Sequence, residues 1–109
     1  MKELYFVGSE IKTPPISNEA RREAGFLLRL LQNGMLLSLP HSRPMPSIGK
    51  GCHELRINDK NRSWRIMYHI DAEAIVILGV FSKKTSKAPQ KSIAVCQRRL
   101  QTYEQHKKG

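Results

Sequence analysis

Arg56 and Arg65, with Glu54 two residues ahead of the first, are the residues of this sequence best suited to chemistry. A guanidinium keeps its charge at physiological pH and presents parallel N–H donors that match two oxygens of one phosphate. In the stretch Cys52 to Asn58, His53, Leu55 and Ile57 alternate with Cys52, Glu54, Arg56 and Asn58. In the next, Trp64, Ile66 and Tyr68 read as the buried set, which sends Arg65, Met67 and His69 to the opposite side. Residues two apart on a strand face the same way, so neighbouring strands would carry Arg56 and Arg65 on one exposed sheet surface. Ser82-Lys83-Lys84, followed by Lys87 and Lys91, adds cations at the end of a further apolar run, and Lys50 adds one more ahead of the first strand. Such a surface would hold an RNA phosphate and stabilise the charge that accumulates when the phosphodiester is cut. These residues by themselves leave binding and cleavage equally open.

The other reactive side chains divide by position. His69 falls on the arginine side and is an acid/base candidate, because imidazole transfers protons near neutral pH. His53 falls on the core side, and His41 and His106 lie in a connection and a terminal segment. Trp64 and Tyr68 share the apolar side and read as core. Cys52 and Cys96 lack zinc-site or disulfide-framework spacing and read as small core residues.

These positions require elements to hold them. Glu3 to Val7 has strand composition and precedes a Gly8-Ser9 turn signal. Ala20, Ala24, Leu27, Leu28 and Leu31 recur on one helical face, Asn18 or Ser17 can cap the start, and Asn33-Gly34 supplies the stop. The expected helix runs from about Glu19 to Gln32. Residues 35–51 carry Pro40, Pro44, Pro46, Gly49 and Gly51 and read as a long connection. Three strands are then expected, Cys52 to Asn58, Ser63 to Ile70 and Ala74 to Ser82, joined by short polar turns as an antiparallel meander. A closing helix begins near Pro89 and aligns Ile93, Cys96, Leu100 and Tyr103, with a frayed tail from Gln105. The expected fold is a single α+β domain over residues 1–109: a small antiparallel-rich sheet with the helices packed on one face.

Composition narrows the partner. The chain has 109 residues, with 19 Lys and Arg against 9 Asp and Glu, for a formal net charge of +10. That imbalance points to a polyanion, nucleic acid ahead of lipid. The longest apolar run, Ala74 to Phe81, falls far short of the roughly 20 residues that cross a bilayer, and the first residues lack a signal-peptide pattern. The expectation is a soluble, cytoplasmic protein with no membrane partner.

Four stretches resemble the RelE/ParE superfamily of type II toxins, in particular its HigB-like, phage-derived branch. They are Arg-Pro-Met-Pro-Ser-Ile-Gly-Lys-Gly at 43–51, Glu-Leu-Arg-Ile at 54–57, Trp-Arg-Ile-Met-Tyr at 64–68 and Phe-Ser-Lys-Lys-Thr at 81–85. The segment at 19–25 and the closing segment from Pro89 to Leu100 are also similar. The resemblance implies a ribosome-dependent endoribonuclease that cuts messenger RNA without a metal or cofactor. It also implies a cognate antitoxin, in this branch usually a helix-turn-helix protein that binds DNA. By position, Arg65 matches the family's strand arginine that stabilises the scissile phosphate, and Lys84, with Lys83 beside it, matches the late basic residue proposed as general acid. Arg56 and Glu54 stand where RelE-type toxins carry basic residues. Arg56 cannot serve as a base near neutral pH, which leaves Glu54 as the candidate base. The residues directly after Lys84, Thr-Ser-Lys-Ala-Pro, hold no aromatic residue, where active relatives place a base-stacking tyrosine. The resemblance thus also admits a non-catalytic nucleic-acid- or ribosome-binding module and a ParE-like gyrase inhibitor.

Overall fold

The computed structural model describes residues 1–7, 16–60, 62–83 and 90–108. The elements run β1 (Glu3–Phe6), α1 (Asn18–Gln32), β2 (Ser42–Pro44), β3 (Cys52–Asn58), β4 (Ser63–Ile70), β5 (Ala74–Lys83) and α2 (Gln90–Lys108). They build one five-stranded sheet in the order β1-β5-β4-β3-β2. β2 to β5 pair antiparallel, and β1 joins β5 in parallel. This is the expected α+β class.

The meander forms because each strand alternates in step with its neighbour. Leu55 pairs with Ile66, and Ile57 with Trp64, so their side chains fall on one face with Tyr68, Ile75 and Ile77. α1 covers that face with Ala20, Ala24, Leu27 and Leu31, its expected stripe. Ser17 caps the helix by accepting a hydrogen bond from the Ala20 N–H, and Asp59 accepts from the Ser17 N–H and from Trp64 Nε1. Each fully buried Leu or Ile here contributes about 1.5–3 kcal/mol. Ser42 Oγ and Tyr68 Oη, both enclosed, satisfy each other at 2.6 Å.

The second helix corrects the expectation of helices on one face. α2 packs on the opposite side, where Cys96 and Leu100 meet Cys52, Met67, Val76 and Leu78. The cause is in the strands: Met67 on β4 and Val76 and Leu78 on β5 make a second apolar surface that must also be covered. Two further details differ. β2, within the expected connection, pairs through Ser42, Arg43 and Pro44 with Leu55, Glu54 and His53. The tail expected to fray from Gln105 is helical to Lys108, because Lys107 and Tyr103 both bind Asp71.

β5 carries one irregularity that shapes the site side. Met67 pairs with Gly79 and Tyr68 with Ile77, which leaves Leu78 bulged. A Cβ on Gly79 would lie 2.6 Å from the Phe81 ring, so only glycine lets that ring lie over the strand.

Candidate functional site

Arg56 and Arg65 are direct partners across β3 and β4, on the same side as Cys52, Glu54, Met67 and His69. The sequence reading expected this side to be exposed, and the structure corrects that. Arg65 is 6% exposed, Glu54 is fully buried, and Arg56 is half-buried. Glu54 Oε1 lies 3.4 Å from Arg65 Nε and 3.3 Å from Arg43 Nε. Arg43 stands opposite Glu54 on β2, so a row of Arg43, Glu54 and Arg65 crosses three strands with Arg56 beside it. Arg65 Nη1 also donates to the Trp64 carbonyl at 3.2 Å.

The electrostatics follow from this crowding. Burial pushes the Arg65 guanidinium below its ordinary value, Glu54 pushes it back up, and Arg56 and Arg43 push it down. A guanidinium starts so high that Arg65 remains a cation throughout the physiological range. Three arginines therefore share this corner with Glu54, an arrangement that attracts an anion.

The remaining expected residues divide between the two ends of the sheet. Arg99 donates to the Leu78 carbonyl at 2.7 Å and Tyr103 reaches Asp71, so α2 runs antiparallel to β5. Its first turn, with the exposed Lys91, thus falls at the end of the sheet where Arg65 pairs with Phe81. Lys83 closes β5 opposite Ser63 at that same end. Lys84 and Lys87 lie outside the described residues. His69 and Lys50 are not part of this group. His69 pairs with Cys52, four residues along β3 from Arg56, a separation of roughly 13 Å at the usual strand rise. With Lys50, Gln97, Leu100 and Glu104 it lines a separate cleft of about 460 Å³.

The other reactive groups are structural. His53 stacks on Tyr68 with centroids 5.3 Å apart, and burial lowers its pKa. Cys52 and Cys96 are free and buried, and burial raises them to about 11 and about 12, so neither is a thiolate nucleophile near neutral pH. Among the described residues, no group of three or more His, Cys, Asp or Glu could hold a metal ion.

Sequence reasoning missed Arg43 and Arg99. Arg99 had a signal: it stands three residues after Cys96 and four before Tyr103, a charge on the packed stripe of its helix. Arg43 opens the resembling stretch at 43–51, but a strand as short as Ser42–Pro44 shows no period that would set its side chain on the site face.

A mixed five-stranded sheet with a helix on each face, basic and compatible with a RelE-like arrangement, defines the class of this domain. A family model described as phage-derived protein Gp49-like matches residues 14–101, and the chain belongs to that family, within the RelE/Gp49 toxin-like group. None of the curated proteins matches the chain. Among the described residues, no helix is long and apolar enough to cross a membrane.

Proposed function

We propose that this protein is the HigB-like toxin of a type II toxin–antitoxin pair, and that it cuts messenger RNA on the ribosome. The observation that carries this reading is the direct pairing of Arg56 with Arg65 beside the buried Glu54, on a chain of the Gp49-like family. The RNA 2′-oxygen attacks the adjacent phosphorus, the bond to the 5′-oxygen breaks, and the products are a 2′,3′-cyclic phosphate and a 5′-hydroxyl end. Negative charge grows on the non-bridging oxygens during attack, and Arg56 and Arg65 stabilise it more than they stabilise the ground state. Lys84 is assigned the proton delivered to the departing 5′-oxygen, with Lys83, Lys87 and Lys91 as backbone contacts.

Glu54 does not take the role of base in this scheme. Its carboxylate is enclosed between two arginines, where no 2′-hydroxyl can come within hydrogen-bond reach while they stay in place. The attacking proton passes to water or to a ribosomal group. A helix-turn-helix antitoxin is the expected partner, and the protein works in the cytoplasm.

The test uses purified protein with programmed ribosomes and an end-labelled message. Cleavage that leaves a 5′-hydroxyl and survives EDTA treatment of the toxin supports the reading. Tight, salt-sensitive ribosome binding without product would make the protein a binding module, and inhibition of gyrase supercoiling without RNA cleavage would move it to the ParE-like activity.

A further inference from the structure

The buried carboxylate has a use that the cleavage scheme leaves unassigned. Glu54 sits at zero exposure in the middle of a sheet, a costly place for a charge unless something is gained by keeping it. Both arginine contacts end on the same oxygen, Oε1, as charge contacts outside hydrogen-bond geometry, so the two Nε atoms are no further apart than the two contact distances laid end to end. A guanidinium that faces the carboxylate with Nε turns its Nη nitrogens elsewhere: in Arg65 Nη1 donates to the Trp64 carbonyl, which leaves Nη2 to reach another acceptor. Arg43 is the more accessible of the two, with its side chain 37% exposed against 8% for Arg65. Arg56, the direct cross-strand partner of Arg65, acts on it as a second like charge. A buried carboxylate shared by two arginines, with a third beside them, leaves positive charge that a phosphate diester would neutralise.

We propose that Glu54 is a positioning residue that aligns Arg43 with Arg65, and that Arg43 is a third arginine of the substrate site, directed at the RNA backbone. The proposal rests on the nucleic-acid reading above and adds to it a residue on the edge strand β2 and a role for the buried acid. Glu54 acts only through the arginines and never touches the RNA. Arg43, at the sheet edge, reaches a phosphate next to the one that Arg65 serves.

The experiment is arginine Nε–H NMR on the full chain, free and with a short single-stranded RNA, using Arg43→Gln to assign its resonance. In the free protein the Nε–H signals of Arg43 and Arg65 are expected to exchange slowly with water. Addition of RNA is expected to shift Arg43, Arg56 and Arg65 together. In Glu54→Gln the protection of the Arg43 Nε–H, buried beside that carboxylate, should fall at least tenfold, whereas the Nε–H resonance of Arg99, a side chain anchored through Nη1 to the Leu78 carbonyl, should not change. A second readout avoids dependence on Glu54→Gln folding: in Arg43→Gln, the slope of log affinity against log salt should shrink by about 0.7, one single-strand phosphate contact. Arg43→Lys should restore the slope. An Arg43 signal that ignores RNA while Arg56 and Arg65 respond, or an unchanged salt slope, overturns the proposal and leaves the function standing. If no arginine responds and the wild type binds no RNA, the functional reading falls and takes the proposal with it.

Discussion

Two ion-pair clusters stand at opposite ends of the same sheet face, and they are built to opposite ends. At one, Asp71 accepts from Tyr103 Oη at 2.5 Å, from Lys107 Nζ at 2.8 Å and from the Ala72 N–H at 2.8 Å. Its charge is matched by one lysine, and the cluster pins the last turns of α2 to the β4–β5 turn. At the other, buried Glu54 meets Arg43 and Arg65, and Arg56 pairs with Arg65 across the strands. The first cluster is closed on itself, whereas the second is short of negative charge among the described residues. The contrast separates an ion pair that holds a fold together from one that prepares a surface for an anion.

The largest expected effect comes from breaking the open cluster. Arg65→Ala should lower RNA cleavage on the ribosome by at least about 100-fold, the scale of losing one preorganised donor to a transition-state oxyanion. Circular dichroism should still report a folded chain. Retained cleavage in a folded variant would remove Arg65 from the site.

Breaking the closed cluster should do the reverse. Asp71→Asn should cost about 1–2 kcal/mol of stability, measured by urea unfolding, through weaker bonds to Tyr103 and Lys107, and leave RNA cleavage unchanged. A loss of cleavage without a loss of stability would erase the distinction between the two ends.

The pH dependence sharpens the same comparison. The Lys107 and Tyr103 hydrogen bonds hold the Asp71 carboxyl below the ordinary carboxylate range. A depressed folded pKa contributes stability that is present above the unfolded value near 4 and is lost as pH falls through the folded one. Asp71→Asn should therefore flatten the acid side of the stability profile. Burial, and then the hydrogen bond to Asp71, raise Tyr103 to about 12. That contribution is present below the unfolded value near 10 and disappears as pH rises through about 12. Absorbance titration of tyrosinate should show Tyr68 and Tyr103 ionising late, the first through burial, and Tyr103 moving earlier in Asp71→Asn.

The smallest effect belongs to Lys107→Ala. The lysine side chain is 56% exposed, and pairs of that kind contribute about 0.2–1 kcal/mol. Thermal unfolding should record a shift of a few degrees at most, reduced further by added salt.

Much of this architecture was legible because its signals are local. The bounds of β3 and β4, the stripe of α1 and the burial of Trp64 and Tyr68 follow from period-two and period-3.6 patterns. The placement of Arg56 and Arg65 on one side of the sheet followed from the same alternation, and the register adds that they are direct partners. The burial of Arg65 and Glu54 did not, because it depends on what lies over that face. Two amphipathic helices do not announce which side each will take, and the deciding residues, Met67, Val76 and Leu78, lie among other apolar residues. β2 escaped notice because three residues ending in proline form a strand only through the partner they meet. Arg43 was lost with it, and so was the ion cluster that gives Glu54 its role.

The central claim is that the arginine end of the sheet cuts messenger RNA. The most direct measurement is inducible expression of the wild type and of Arg65→Ala, with mapping of messenger RNA ends inside translating ribosomes shortly after induction. The account predicts new in-frame cuts from the wild type and none from a soluble, equally abundant Arg65→Ala. Growth arrest without new ends, or the same ends from both chains, would contradict it.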